Sequence, residues 1–148
     1  MKKYIYLFIS NISLFIVFPI IRLISKSFYE KKILPYVLNL TCNSRPIDYQ
    51  RKKVIPEASG KVLEIGIGPG SNLKHYDNQK VTSILGIDPS EELNQIAQKR
   101  AEKNNLNVEF LIESASSLSV ESNSIDTVVS TYALCSIPEP QKTLQEIK

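Results

Sequence analysis

From Lys61 onward the apolar positions change period along the chain. Lys61–Ile65, Val81–Ile87, Val108–Ile112 and Ile125–Ser130 are short runs dominated by Val, Ile and Leu. That is the pattern of strands buried on both faces. Between the second and third runs, Leu93, Ile96, Ala97 and Arg100 recur at helical spacing within Glu92–Lys103. Asp88-Pro89-Ser90, with Glu91 and Glu92 after it, supplies the start signal of that helix. Ser71–Tyr76 is expected to begin a helix behind the first strand, with a loop over Asp77–Lys80. Asn104–Asn107 ends the middle helix, Ser114–Asn123 is a serine-rich loop, and Pro138 and Pro140 open a last helix over Gln141–Lys148. Strands alternating with helices predict an α/β domain with a parallel sheet and right-handed crossovers.

The first 60 residues follow a different pattern. Tyr4–Ile21 holds 18 residues without a charge, with Lys2 and Lys3 before it and Arg22, Lys26, Lys31 and Lys32 after it. In a helix these span about 27 Å, close to the thickness of a bilayer core. Ser10, Asn11, Ser13 and Pro19 weaken the run, and no small-x-small cleavage site follows it. Residues 1–26 are therefore expected to form an uncleaved membrane anchor or interfacial helix. An apolar helix packed on the domain and a cleaved signal are the alternatives. Residues 27–60 are a basic helical connecting region. Ser27–Leu40 is one helix or two, interrupted around Pro35, and Ile47–Ile55 is a short basic helix carrying Arg51, Lys52 and Lys53. Those three cations are either a membrane-facing or substrate-gating flap or an ordinary solvated face. Ala58-Ser59-Gly60 turns into residues 61–148, the ligand-binding domain.

Charge sharpens this division. Residues 1–60 hold ten Lys/Arg against three Asp/Glu, and residues 61–148 hold eight against twelve. The basic half is also the half with the apolar run, which points to an anionic membrane surface rather than nucleic acid. The excess of positive charge after the run places the following domain on the cytoplasmic side. With 43% apolar and 22% charged residues, the chain is not of the disordered class. One histidine and two distant cysteines, Cys42 and Cys135, leave little for a metal site or a histidine triad, and both thiols are expected to be buried and reduced. His75 is expected at the surface.

The chemistry gathers where the first strand ends. Glu64, Gly66, Gly68 and Gly70 stand at alternate positions, and Asp88 lies 22 residues after Gly66 at the end of the second strand. Glycine accepts φ > 0 and lets a ligand approach the backbone. A following helix would add unpaired N–H groups and a positive dipole end. An acid about 20 residues on suits a ribose, because a carboxylate accepts from both hydroxyls at once. The bland alternative is a structural glycine turn with Asp88 as a helix cap. A dinucleotide site wants G-x-G-x-x-G/A, but Ser71 takes the sixth place and the third glycine comes one place early.

With Glu64 before the glycines, the sequence resembles the class I S-adenosylmethionine (SAM)-dependent methyltransferases. Glu113-Ser114-Ala115 matches their third motif, and Leu134-Cys135-Ser136-Ile137-Pro138 resembles the segment after strand 4 in the small-molecule and lipid branch, the methyltransferase type 11-like proteins. The resemblance covers about residues 33–148. It implies a Rossmann-like fold with S-adenosyl-L-methionine as cofactor. Glu64 and the Gly66–Gly70 loop would handle the methionine end, Asp88 with Pro89 the ribose, and Ser114 and Ala115 the adenine. Ser114 stands where the family commonly has Asp, and Ser116-Ser117-Leu118-Ser119 replaces a more acidic version. Family domains have about seven strands. This chain is expected to hold the N-terminal half of the sheet, about four strands, with strand 4 as an edge that a complementing C-terminal fragment could cover. Tyr132 and Cys135, just past strand 4, are candidates for the acceptor side; no catalytic residue stands out. The expected function is methyl transfer to a small-molecule or lipid-like acceptor at the membrane. A non-catalytic SAM-binding or membrane-interaction fragment is the alternative, and an NAD(P)-binding oxidoreductase is disfavoured by Ser71 and Glu64.

Overall fold

The computed structural model describes residues 28–147. The anchor expected over residues 1–26 lies outside the described residues. Among the described residues no helix is long and apolar enough to cross a membrane. A π-helical turn, Tyr29–Ile33, leads into α1 (Leu34–Cys42). Pro35 stands where the π-helical turn gives way to α1; it has no N–H to carry the helical hydrogen bonds through, and the break expected around it is this change of helix type. Helix α2 (Arg45–Val54) likewise has a proline, Pro46, in its first turn, and a tight turn over Ile55–Glu57 closes it.

Four strands follow: β1 (Gly60–Ile65), β2 (Val81–Ile87), β3 (Val108–Leu111) and β4 (Thr127–Ser130). They form one parallel sheet in the order β3-β2-β1-β4. Leu63 lies opposite Leu85 and Val128, and Ile65 opposite Ile87 and Ser130. The strand order reverses between β1 and β4, and ligands of open parallel sheets bind beyond the strand ends at such a reversal. Strand β4 pairs with β1 alone among the described residues and forms an outer edge.

Both faces of the sheet are apolar. Val62, Ile84 and Val129 pack on one side with Ile55, Ile67, Leu73, Ala97 and Ala101. Leu63, Ile65 and Ile87 pack on the other with Ala115. Helix α3 (Glu91–Lys103) buries Leu93 and Ala97 of the four residues at helical spacing, leaves Ile96 and Arg100 half-buried, and adds Asn94 and Ala101; Ser90 caps its start. The last helix, α4, covers Pro140–Glu146.

One expected element is absent. Ser71–Tyr76 makes only a single 3₁₀ turn, Leu73–His75, and no α-helix. The segment has six residues before the loop at Asp77, too few to recover the cost of nucleating a helix. Its polar side chains also bind elsewhere: Asn72 to Glu64, and His75 to Asp48. The expected helix dipole behind the glycines is therefore missing. Neither thiol is buried as expected. Both cysteines are free, with Cys42 half-buried and Cys135 exposed beyond β4.

Candidate functional site: a cleft beyond the ends of β1 and β2

Strand β1 continues through its last hydrogen bonds into the glycine loop. The Gly66 and Ile67 N–H groups both donate to the Ile87 carbonyl, at 2.8 and 3.1 Å. The Gly70 N–H then turns back to the Ile67 carbonyl. Gly66, Gly68 and Gly70 all have positive φ, between +52° and +73°. At Gly66 the need is double: an added Cβ would lie 2.4 Å from the Ala133 Cβ. Gly86 serves the loop from β2, since a Cβ there would meet Ile67 Cδ1 at 2.5 Å.

Asp88 ties the loop to β2. Its Oδ2 accepts from the Gly68 N–H at 3.0 Å and its Oδ1 from the Ser90 N–H at 2.9 Å. Each oxygen keeps a further lone pair. Burial raises the Asp88 carboxyl above its ordinary range, opposed by the bonds from Ser90 and Gly68.

A cleft of about 250 Å³ opens beside these residues. Gly66, Asp88, Pro89, Ser114 and Ala115 line it together, along with Glu113. Residues 22 to 49 positions apart in sequence therefore share one concave surface. Apolar walls come from Leu38, Leu93, Ala133 and Ile137, none of which the sequence marks as a site residue. For Ile137 the match to the segment after strand 4 was the available signal. For Leu38 there was none. The Glu113 carboxylate turns away to Ser119, whose Oγ donates to it at 2.8 Å.

The other expected residues lie outside this cleft. Gly70 packs against Leu73 and Ala97. Tyr132 is 54% exposed, at φ +58°, with its ring 5.1 Å from the Arg51 guanidinium carbon. Cys135 is exposed, its Sγ 3.7 Å from the Tyr132 carbonyl oxygen. Glu64 is 2% exposed beneath the loop, on the β1 face that carries Val62. Its Oε1 accepts from Asn72 Nδ2 at 2.9 Å and its Oε2 from the Tyr76 hydroxyl at 2.7 Å. Burial pushes the Glu64 carboxyl up to about 7, against the lowering effect of Tyr76, Asn72 and Arg51. Burial and the Glu64 charge hold the Tyr76 phenol above its usual range.

Arg51 is the largest surprise. Lys52 and Lys53 are solvated, but Arg51 is 5% exposed. Its Nη1 donates to Asn72 Oδ1 at 2.6 Å and to Thr131 Oγ1 at 2.5 Å. The available signal was spacing: Ile47, Arg51 and Ile55 recur four residues apart, placing the arginine in an apolar stripe. His75 is also drawn inward from its expected surface position. Its Nε2 lies 2.8 Å from Asp48 Oδ1, which Lys74 also reaches at 2.6 Å. Among the described residues no cluster of His, Cys, Asp or Glu could hold a metal ion.

Comparison with known proteins agrees with the sheet order and the loop. A family model described as a methyltransferase domain matches residues 63–148. The chain belongs to the methyltransferase-domain family. It is 28% identical over 137 residues to the mitochondrial methyltransferase OMS1 of Saccharomyces cerevisiae, covering 80% of this chain and 29% of that protein. It is 38% identical over 92 residues to an uncharacterized methyltransferase of Bacillus cereus, covering 62% of this chain and 41% of that protein. The chain thus spans well under half the length of these relatives. A SAM-dependent methyltransferase from Aquifex aeolicus superposes with a TM-score of 0.61 at 23% identity, over 77% of this chain and 65% of that one, a likeness of fold. The sheet of this methyltransferase-family chain is the first half of the class I SAM-dependent methyltransferase fold. S-adenosyl-L-methionine is the methyl donor of that class.

Proposed function

We propose that the chain is the cofactor-binding part of a SAM-dependent methyltransferase whose acceptor is a small-molecule or lipid-like compound at a membrane. The observation that carries the cofactor reading is the cleft that brings Gly66, Asp88, Pro89, Ser114 and Ala115 together. Its volume lies just under the roughly 300 Å³ at which ligand pockets begin, a size suited to a nucleoside. Its chemistry agrees: apolar walls for a base, and a half-satisfied carboxylate for a ribose. Asp88 would accept from the ribose hydroxyls with the lone pairs that Gly68 and Ser90 leave open. Gly66 keeps the floor of the cleft free of a side chain, and Ser114 and Ala115 would face the base.

The bound cofactor supplies a methyl group already activated on a sulfonium. The protein's own task is alignment and water exclusion, which by themselves are worth several kcal/mol of barrier. Tyr132, exposed beyond β4, is the candidate for the acceptor side. The basic, apolar-led first 60 residues support the membrane setting.

Titration calorimetry on the full chain tests the cofactor reading. SAM should give saturable heat and NAD none. Saturable NAD binding without SAM binding would overturn it and restore the oxidoreductase alternative. Transfer of labelled methyl from SAM to lipid extracts, against a small-molecule fraction, then separates the acceptor classes.

A further inference from the structure

We propose that Arg51 is a positioning residue for the glycine loop: it fixes the Asn72 side-chain amide so that Glu64 serves as an acceptor on both oxygens. The consequence for the cofactor rests on the function proposed above; the effect on Glu64 does not. Arginine can only donate. With Nη1 of Arg51 on Asn72 Oδ1, the amide must turn its NH₂ the other way. That NH₂ then donates to Glu64 Oε1 and to Thr131 Oγ1, each at 2.9 Å. A proton on Glu64 Oε1 would face an NH₂ group that cannot accept it. The other oxygen takes the Tyr76 hydroxyl, so a proton can sit there only if the phenol turns from donor to acceptor. Five side chains thus hold one arrangement, and its orientation is set by the one member that has no acceptor.

The arrangement spans the loop. Glu64 precedes the first glycine and Asn72 follows the last, so their hydrogen bond closes the loop end to end. Arg51 anchors that closure from α2, and Thr131 anchors it from beyond β4. Arg51 also lies against the Tyr132 ring. Burying a guanidinium without a carboxylate in direct contact is costly. Its Nε has no partner among the described residues. The Nη1 bonds and the Tyr132 ring are what hold it there, and its charge reaches Glu64 across the Asn72 amide.

Among the described residues no other charged group competes for Glu64. Tyr76 is its titratable neighbour from the turn after the loop. Asp88 on the β2 side is turned to Gly68 and Ser90, and Arg100 of α3 to the Pro69 carbonyl and Asn39. His75 and Lys74 are turned to Asp48. Loss of Arg51 frees the amide to rotate and removes a nearby positive charge. Both changes favour a protonated Glu64.

The test is ¹³C NMR of the full chain labelled at glutamate carboxyls, with the Glu64 signal assigned by its loss in E64Q. The background is H75Q, which removes the one imidazole of the chain. Arg51→Met should raise the Glu64 titration midpoint by about one pH unit or more, and Arg51→Lys should bring it part of the way back. Asn72→Ala should raise it as well with Arg51 intact, which keeps the test open if Arg51→Met does not fold. An unchanged midpoint in the folded variants would overturn the proposal. SAM titrations on the same samples separate the two claims. A shifted midpoint with no SAM binding in any sample defeats the cofactor reading and leaves the role of Arg51 standing. SAM binding with an unshifted midpoint does the reverse.

Discussion

Glu64 joins a signal along the chain to a place in the fold. Its position two residues before the first glycine marks the loop, but its carboxyl sits beneath the loop and outside the cleft. Its titration has a signed consequence for stability. Burial raises the carboxyl from 4.5 to about 7 in the folded chain. The folded chain therefore binds this proton more tightly than the unfolded chain does. The stability that results is fully present below about pH 4.5 and is lost as pH rises through about 7. Each pH unit between those values is worth at most about 1.4 kcal/mol. Urea denaturation of Glu64→Gln should show a flatter stability profile across this window than the unsubstituted chain, and parallel profiles would rule the assignment out. Glutamine suits the site because its amide can still accept from Asn72 and donate to the Tyr76 oxygen.

At the scale of elements, local signals set most boundaries. Helix α3 begins where Ser90 accepts from the Leu93 N–H at 3.2 Å and ends at Asn104. Ser90→Ala should cost about 1 kcal/mol by denaturant titration, the usual worth of such a cap. A change well under half of that would mean that Asp88, which also holds the Ser90 N–H, orders the turn alone. Strand β2 was legible to the residue, because Val81–Ile87 is bounded by loop residues on one side and Asp88-Pro89 on the other. The segment after the glycines was not legible. Ser71–Tyr76 has helix-compatible residues, but Asn72, Lys74 and His75 find tertiary partners in Glu64 and Asp48 that hold it in one turn. Helix α2 was legible as a helix and misread as a face, since a basic triplet does not reveal which of its members turns inward.

For the whole molecule, the sheet order β3-β2-β1-β4 places the loop, Asp88 and the segment after β3 along one edge. That arrangement makes a site from residues that share no local pattern. The membrane setting is a proposal at this scale, and it predicts fractionation. The full chain should sediment with membranes, and deletion of residues 1–26 should move it to the supernatant. Recovery of the intact chain in the supernatant would refute an anchor.

The sequence by itself determined the fold class, the succession of the four strands with the helix between β2 and β3, the glycine loop and the acid that faces it. Each of these rests on period, spacing or backbone freedom, which are properties of neighbouring residues along the chain. Only the tertiary structure decided which groups are buried and what they bond. Arg51 becomes an interior cation because α2 lays its apolar stripe against the loop and the end of β4. Glu64 becomes a buried acceptor because Asn72 and Tyr76 return to it after the loop has turned. Both outcomes depend on contacts between residues 8 to 80 positions apart, and no local pattern encodes those.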